Sequence, residues 1–330
     1  MGALISLIAV LILVLLAYVG AELAGWRFLF GVVLPYIGIA TFLLGVVYRV
    51  TKWARSPVPF RIPTTCGQQK SHPWIKNSNL ESPHNIWGVL GRMALEILFF
   101  RSLFRNTRSE VKEGPRIVYG PDKWLWAGSL AFHWSFLIIF IRHFKYFAEP
   151  VPSWVIGIQN LDGFFQVGLP IILATDGVIV LALTFLFLRR IVDPKLRYIS
   201  LPADYFALFL LMGITFSGIL MRYFIKTDIT SVKMLGTGLL SFSPVVPEGI
   251  GAMFFIHLFM VTILLAYFPF SKLMHFAGVF MSPTRNLANN NRMARHVNPW
   301  DYPVKVHTYE EYEDEFRDVM KAAGLPVEKE

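Results

Sequence analysis

Six long apolar runs, at about 3–20, 28–49, 124–147, 169–188, 203–224 and 251–276, alternate with segments rich in Lys, Arg, Pro and Gly. A bilayer core about 30 Å thick takes roughly 20 helical residues, so each run predicts a membrane-spanning helix. A seventh run, 88–104, carries Arg92, Glu96 and Arg101 at intervals of four and five. It predicts an amphipathic helix, at the membrane surface or buried in protein, rather than a span. The first run has no positive residue before it, and its stretch from Ala3 to Val19 is long for the core of a signal peptide. It is read as a retained helix. Near the end, "TYEEYEDEFRDVMKAAGLP" predicts a different helix. Thr308 and Glu311 form a capping box, Gly324 and Pro326 are stop signals, and Tyr309, Tyr312, Phe316, Val319 and Ala323 share one face. A solvated helix and a helix that docks on a partner both fit that pattern.

Composition supports the membrane reading. Of 330 residues, 55% are hydrophobic and 15% aromatic, too apolar for an ordinary soluble domain. Charge sets an expected orientation. Twelve Lys and Arg fall in 51–123, four in 189–202 and seven in 279–330, against none in 148–168 and only Lys226 and Lys233 in 225–250. Positive residues favour the cytoplasmic side. Both termini, the 51–123 loop and the 189–202 link are therefore expected in the cytoplasm of a multi-pass protein of the cell membrane. The net charge of +9 follows from this asymmetry. It argues for contact with anionic lipid and not for nucleic acid, whose binding motifs are lacking. The single Cys66 excludes an internal disulfide, a multi-cysteine zinc site and an iron–sulfur cluster held by this chain alone.

The chemistry lies in the histidines. His72, His84, His296 and His307 fall in polar segments, where solvated surface is the plain reading. His133, His143, His257 and His275 lie in or at the end of two predicted spans, where ionisable groups are costly and usually functional. The two spans run antiparallel. His133 is therefore expected to pair with His275 nearer the cytoplasm, and His143 with His257 nearer the outside. Two imidazoles per site suit a haem with both axial positions filled, an electron carrier. Without a C-x-x-C-H motif the haems are of the non-covalent b type. Zinc is a poor fit, lacking its third and fourth ligands. One strain remains. Ten residues rise about 15 Å and eighteen about 27 Å, so Pro269 between the last two histidines is expected to kink its span.

The spacings His133-x9-His143 and His257-x17-His275 resemble the paired ligands of the dihaem cytochrome b membrane subunit of respiratory nitrate reductases, over about 120–280. With the following segment "FAGVFMSPTRNLANNNRMARHVNPWDYPVKV" included, the chain is more similar to the cytochrome b subunits of the sulfite-reduction-associated Dsr complex, a heterodisulfide-reductase-like menaquinol-oxidising complex. That resemblance implies a menaquinone pool as electron partner and a cytoplasmic iron–sulfur subunit related to heterodisulfide reductase, beside other complex subunits. It also implies a place in dissimilatory sulfur metabolism.

The expected architecture is an all-α integral membrane protein of six transmembrane helices. Residues 1–50 form two N-terminal spans, 51–123 a cytoplasmic loop with the amphipathic helix, 124–278 a four-helix dihaem core and 279–330 a cytoplasmic tail. Arg142, Lys145 and Arg222, near the outer ends, are candidates for countercharges to haem propionates, though interfacial cations often merely reach for the surface. Asp176, about seven residues into the fourth run, is a candidate proton acceptor beside a quinol, with a structural bond as the alternative. Gly213 and Gly218 are expected at close approaches of a helix or a haem face. A membrane anchor or transporter without a redox role is the alternative function; it predicts interrupted polar helices at the midplane.

Overall fold

The computed structural model describes residues 1–56, 68–105, 108–114, 116–165, 171–294, 303 and 306–329, so Cys66 and His296 lie outside the described residues. Helices dominate. In chain order they are α1 (Gly2–Tyr18), α2 (Leu34–Ala54), α3 (Ile86–Phe99), α4 (Lys123–His143), α5 (Ser153–Asp162), α6 (Ala174–Val192), α7 (Pro194–Ile199), α8 (Pro202–Tyr223), α9 (Ile229–Leu240), α10 (Ala252–Tyr267), α11 (His275–Gly278), α12 (Pro283–Asn286) and α13 (Tyr309–Ala322). Two small antiparallel pairs accompany them: β1 (Arg108–Lys112) with β2 (Arg116–Gly120), and β3 (Gly163–Phe165) with β4 (Ile172–Leu173). The chain divides into two compact units, Met1–Lys52 with Met93–Met281, and Trp53–Arg92 with Ser282–Glu330.

Among the described residues, five helical segments are long and apolar enough to cross a membrane: Gly2–Leu23, Leu29–Ala54, Lys123–Tyr146, Pro202–Tyr223 and Ala252–Phe270. They match five of the six expected spans. The remaining one, 169–188, meets α6, which starts later and carries Asp176, Arg189 and Arg190 near its two ends. Those three charges keep it out of the group of plainly apolar spans. Residues 169 and 170 of that run lie outside the described residues.

The core of the first unit runs through α1, α6, α8 and α10. Val10, Ala17 and Ala21 of the first helix pack with Leu183, Leu210, Phe255 and Met260. Ser6 Oγ lies 2.6 Å from the Pro202 carbonyl, tying α1 to the start of α8. Asp122 caps α4 by accepting from the Leu125 N–H and also pairs with Arg189 at 2.8 Å, fixing the start of α4 to the end of α6. The expected kink at Pro269 is a full break. After α10 come a turn at Phe268–Phe270, extended backbone at Ser271, a turn at Lys272–Met274 and then α11, which begins at His275. Pro269 is buried, and a Cβ at Gly45 would lie 2.6 Å from its ring. A side chain there would push the break off α2.

In the second unit Arg92 is buried and donates to the carbonyls of Arg285 and Leu287. Asn289, also buried, donates its N–H to the Pro83 carbonyl. The segment after the last span is thereby held against 82–92. Helix α13 has the expected capping box, and Gly324 takes the left-handed φ of +69° at its end.

Candidate functional site

The break after α10 resolves the mismatch of spacings, because it lets His275 return toward α4 independently of the helix that carries His257. His133 and His275 face each other with ring centres 5.9 Å apart and planes at 83°. His143 and His257 face each other at 6.3 Å with planes at 5°. The pairing is the one expected from antiparallel order. A metal midway would stand about 3 Å from each ring centre, which is a metal–nitrogen bond of about 2.0 Å plus the roughly 1 Å from ring centre to ring nitrogen.

All four Nδ1 atoms are already engaged. His133 Nδ1 donates to the Ser129 carbonyl at 2.7 Å, His143 Nδ1 to that of Ile139 at 2.7 Å and His275 Nδ1 to that of Lys272 at 2.9 Å. A carbonyl can only accept, so Nδ1 carries the proton and Nε2 is the bare nitrogen. His257 is held differently. Its Nδ1 lies 2.9 Å from Ser217 Oγ, whose hydroxyl in turn reaches the carbonyls of Gly213 and Ile214 at 2.8 and 3.0 Å. With that hydroxyl proton committed, Oγ accepts from the imidazole. Among the described residues no hydrogen bond reaches any of the four Nε2 atoms. Orientation of one ring nitrogen so that the other can ligate is what a histidine–metal site needs.

Among the described residues no three or more His, Cys, Asp or Glu side chains gather as a metal-binding group. Two facing imidazoles suffice where a porphyrin brings the other four nitrogens. Gly218 fits that picture: a Cβ there would lie 3.4 Å from His257 Cε1, against the candidate ring itself. Gly213 serves plain helix packing, since its Cβ would meet Met260 Sδ at 2.9 Å.

The surroundings of the two pairs differ. His133 lies edge-on to Phe132 and Phe100, with ring centres 5.0 and 4.9 Å away. Phe100 has φ +50°, a backbone conformation that costs a non-glycine residue about 1–3 kcal/mol. It is held there because α3 ends against α4. The indoles of Trp126 and Trp134 donate to the carbonyls of Phe99 and Leu98, which the helix end leaves unpaired. Glu96 accepts from the N–H and hydroxyl of Ser102. The 88–104 run is thus a helix over part of its length, with its end packed on a candidate ligand.

Beside His143 lies a charge cluster. Arg142 is buried, 2.6 Å from Asp176 and 2.9 Å from Asp162. Asp162 also accepts from the N–H and hydroxyl of Thr175, and Asp176 from the Tyr223 hydroxyl at 2.8 Å. Asp176 does not sit seven residues into a span. It lies in the first turn of α6, because Ile172 and Leu173 are extended and paired with β3. A carboxylate at a helix N-terminus is favoured by the macrodipole. Arg142 is therefore bound to two carboxylates of its own chain. Lys145 bonds Gln159 and lies over the Tyr146 ring, while Arg222 bonds the Ile171 carbonyl and lies over Tyr223.

Sequence reading missed Asp162, Tyr223, Ser217 and Phe100. Asp162 left one trace, as an acid in a stretch without Lys or Arg. Ser217 left another, as a hydroxyl inside an apolar run next to Gly218.

Residues 84–296 match the model of the nitrate reductase gamma subunit family, a stretch that contains all four paired histidines. The chain is 48% identical over 280 residues, 83% of each chain, to the Hdr-like menaquinol oxidoreductase cytochrome b-like subunit of Archaeoglobus fulgidus. It is 45% identical over 275 residues, 81% of each chain, to the protein of the same description from Archaeoglobus profundus. With the facing histidines inside the matched region and relatives this similar over most of their length, the chain belongs to the nitrate reductase gamma subunit family, in the branch of the Hdr-like menaquinol oxidoreductase cytochrome b-like subunits.

Proposed function

We propose that this chain is the membrane electron-transfer subunit of a menaquinol-oxidising complex. It holds two b-type haems, one on His133 and His275 and one on His143 and His257. It links menaquinone and menaquinol with a cytoplasmic iron–sulfur subunit related to heterodisulfide reductase, in dissimilatory sulfur metabolism. The observation that carries the reading is the two pairs of facing imidazoles at 5.9 and 6.3 Å, each ring with Nδ1 engaged and Nε2 bare. Bound haem supplies the one-electron chemistry. The protein's part is to orient the imidazoles, exclude water and manage protons.

In this reading α6 is also a span, the fourth of six in chain order, despite its terminal charges. The chain then divides as two N-terminal spans (1–50), a cytoplasmic loop (51–123), the four-helix dihaem core (124–278) and a cytoplasmic tail (279–330). Both termini lie in the cytoplasm, so the His143/His257 pair faces outward and the quinol site lies beside it. Lys145 and Arg222 provide positive charge for haem carboxylates, while Arg142 holds Asp162 and Asp176 in place. Asp176 accepts the quinol proton, and Tyr223, already donating to it at 2.8 Å, is the group through which that proton arrives. Visible spectra of the purified protein, oxidised and reduced, with a pyridine haemochrome count, test the core claim. Two protohaems per chain are expected. A colourless protein would favour an anchor or transporter instead.

A further inference from the structure

Helix α13 is built on one side and bare on another. Glu313 is fully buried, its carboxylate accepting from the backbone N–H groups of Glu328 and Lys329 at 2.8 and 2.7 Å. Lys329 also pairs with Glu310, and Met320 is buried. The last residues therefore strap one face of the helix, while the capping box fixes its start. Among the described residues the neighbouring face has no such cover. Tyr309, Tyr312, Phe316 and Val319 recur at intervals of three and four and are 50%, 48%, 38% and 66% exposed. The Tyr312 and Phe316 rings lean on each other at 4.9 Å. Exposed Glu311, Glu315 and Asp318 run alongside, each one position before a stripe residue. Residues 308–329 carry seven acidic and three basic side chains, a net −4 in a chain of net +9.

We propose that this stripe docks into an apolar groove rimmed by Lys and Arg on the water-soluble iron–sulfur subunit of the complex. The proposal rests on the electron-transfer reading above and names the face and the chemistry of that contact. Charge decides among the possible occupants. Helices that lie on membranes carry Lys and Arg beside their apolar face, and an anionic leaflet repels this one. A second copy would set acidic row against acidic row. A basic-rimmed groove satisfies both the stripe and its acidic border, in the helix-in-groove mode with anchors at i, i+3, i+7 and i+10. The strap and cap order the helix before binding, which lowers the entropic cost of docking.

The test uses the full-length chain in nanodiscs and the separately purified iron–sulfur subunit, with affinity measured at low and at moderate salt. Tyr312→Ala with Phe316→Ala is expected to weaken binding roughly tenfold or more at both salts. Glu315→Lys with Asp318→Lys is expected to weaken it at low salt and to flatten the salt dependence. Haem spectra stay unchanged in both. If the alanine pair unravels the tail, seen as faster proteolysis, the charge-reversed chain decides, because it alters only exposed side chains. Wild-type affinity in that chain overturns the docking face and leaves the electron-transfer reading intact. A wild-type chain that never binds the subunit overturns the partner reading, and the docking proposal with it. Variant-sensitive self-association, or protection of the tail from protease by anionic nanodiscs alone, assigns the stripe to another occupant and likewise overturns the proposal.

Discussion

Replacing Ser217 by Ala removes a single oxygen, yet it should loosen one haem selectively. Of the four imidazoles, His257 alone is held by a side chain, through Ser217 Oγ at 2.9 Å from Nδ1. Ser217 is 5% exposed, so water has little access to replace that oxygen. A buried donor left without a partner costs about 1–3 kcal/mol. Loss of a partner that orients a metal-bound histidine costs roughly 10–100-fold in affinity, about 1.4–2.8 kcal/mol, so the two lines of reasoning agree. The carbonyls of Gly213 and Ile214 lose one acceptor contact each but remain within α8, so damage to the backbone is slight. Haem release to excess apomyoglobin reads the result. The wild type is expected to release two haems slowly. Ser217→Ala should release one of them 10–100-fold faster and leave the other unchanged, and a His133→Ala background identifies the faster one as that of the His143/His257 pair. Two wild-type phases in Ser217→Ala would show that the hydroxyl does not orient a ligand. A faster phase that vanishes in the His133→Ala background would assign the effect to the wrong pair.

Three further outcomes follow from the same geometry. Pyridine haemochrome should count two protohaems, with His133→Ala and His275→Ala losing one and the same haem and His143→Ala and His257→Ala the other; any other grouping refutes the pairing. Asp176→Asn keeps an acceptor for Tyr223 but removes the charge, so haem reduction by a menaquinol analogue should slow while haem content holds; an unchanged rate makes Asp176 structural. Arg142→Gln instead leaves the buried Asp162 and the partly buried Asp176 without countercharge, a cost of about 3–5 kcal/mol, and should lower the yield of folded protein. In the tail, the N–H groups of Glu328 and Lys329 and the Arg317 guanidinium hold Glu313 below its ordinary value of 4.5, against the upward pull of burial. A depressed carboxylate contributes fully above that ordinary value and loses its contribution as pH falls through the lowered one. Corrected for the intrinsic exchange rate, protection of the Glu328 and Lys329 amide protons should therefore be high near neutrality and fall on acidification below about pH 4.5; pH-independent protection would contradict the strap.

The histidine pairing was legible because it needs only order along the chain. Two antiparallel spans with two histidines each admit one level-by-level pairing, and the facing rings at 5.9 and 6.3 Å follow it. The spacing conflict was legible too, and Pro269 was the right place to look. Its severity was not. A proline inside a helix kinks or breaks it depending on what receives the freed backbone, and here Ser271 adopts extended backbone and caps the next turn through Leu273. The cap and stop signals of α13 were equally plain, because they are local.

Contacts between distant segments left almost no trace. The β1–β2 hairpin sits in a stretch of almost wholly exposed positions with no alternating apolar pattern to announce it. Helices α5 and α9 are too short to register as spans. Asp176 shows the cost of that blindness. Apolarity alone started its helix too early and set it about seven residues into a span, as a buried carboxylate whose partners were not identified. Once β3 and β4 are paired, Asp176 falls in the first turn of α6, between Arg142 and Tyr223. Its partners lie 34 and 47 residues away in sequence, so no local periodicity could have linked them. A carboxylate tied to an arginine on one side and a phenol on the other is held still, and Tyr223 is then the group with a proton to exchange. For that reason the more informative substitution beside Asp176→Asn is Tyr223→Phe, which leaves the Arg142 pair intact and removes the proposed path between quinol and carboxylate, at the cost of the bond that the Tyr223 hydroxyl accepts from the Leu173 N–H.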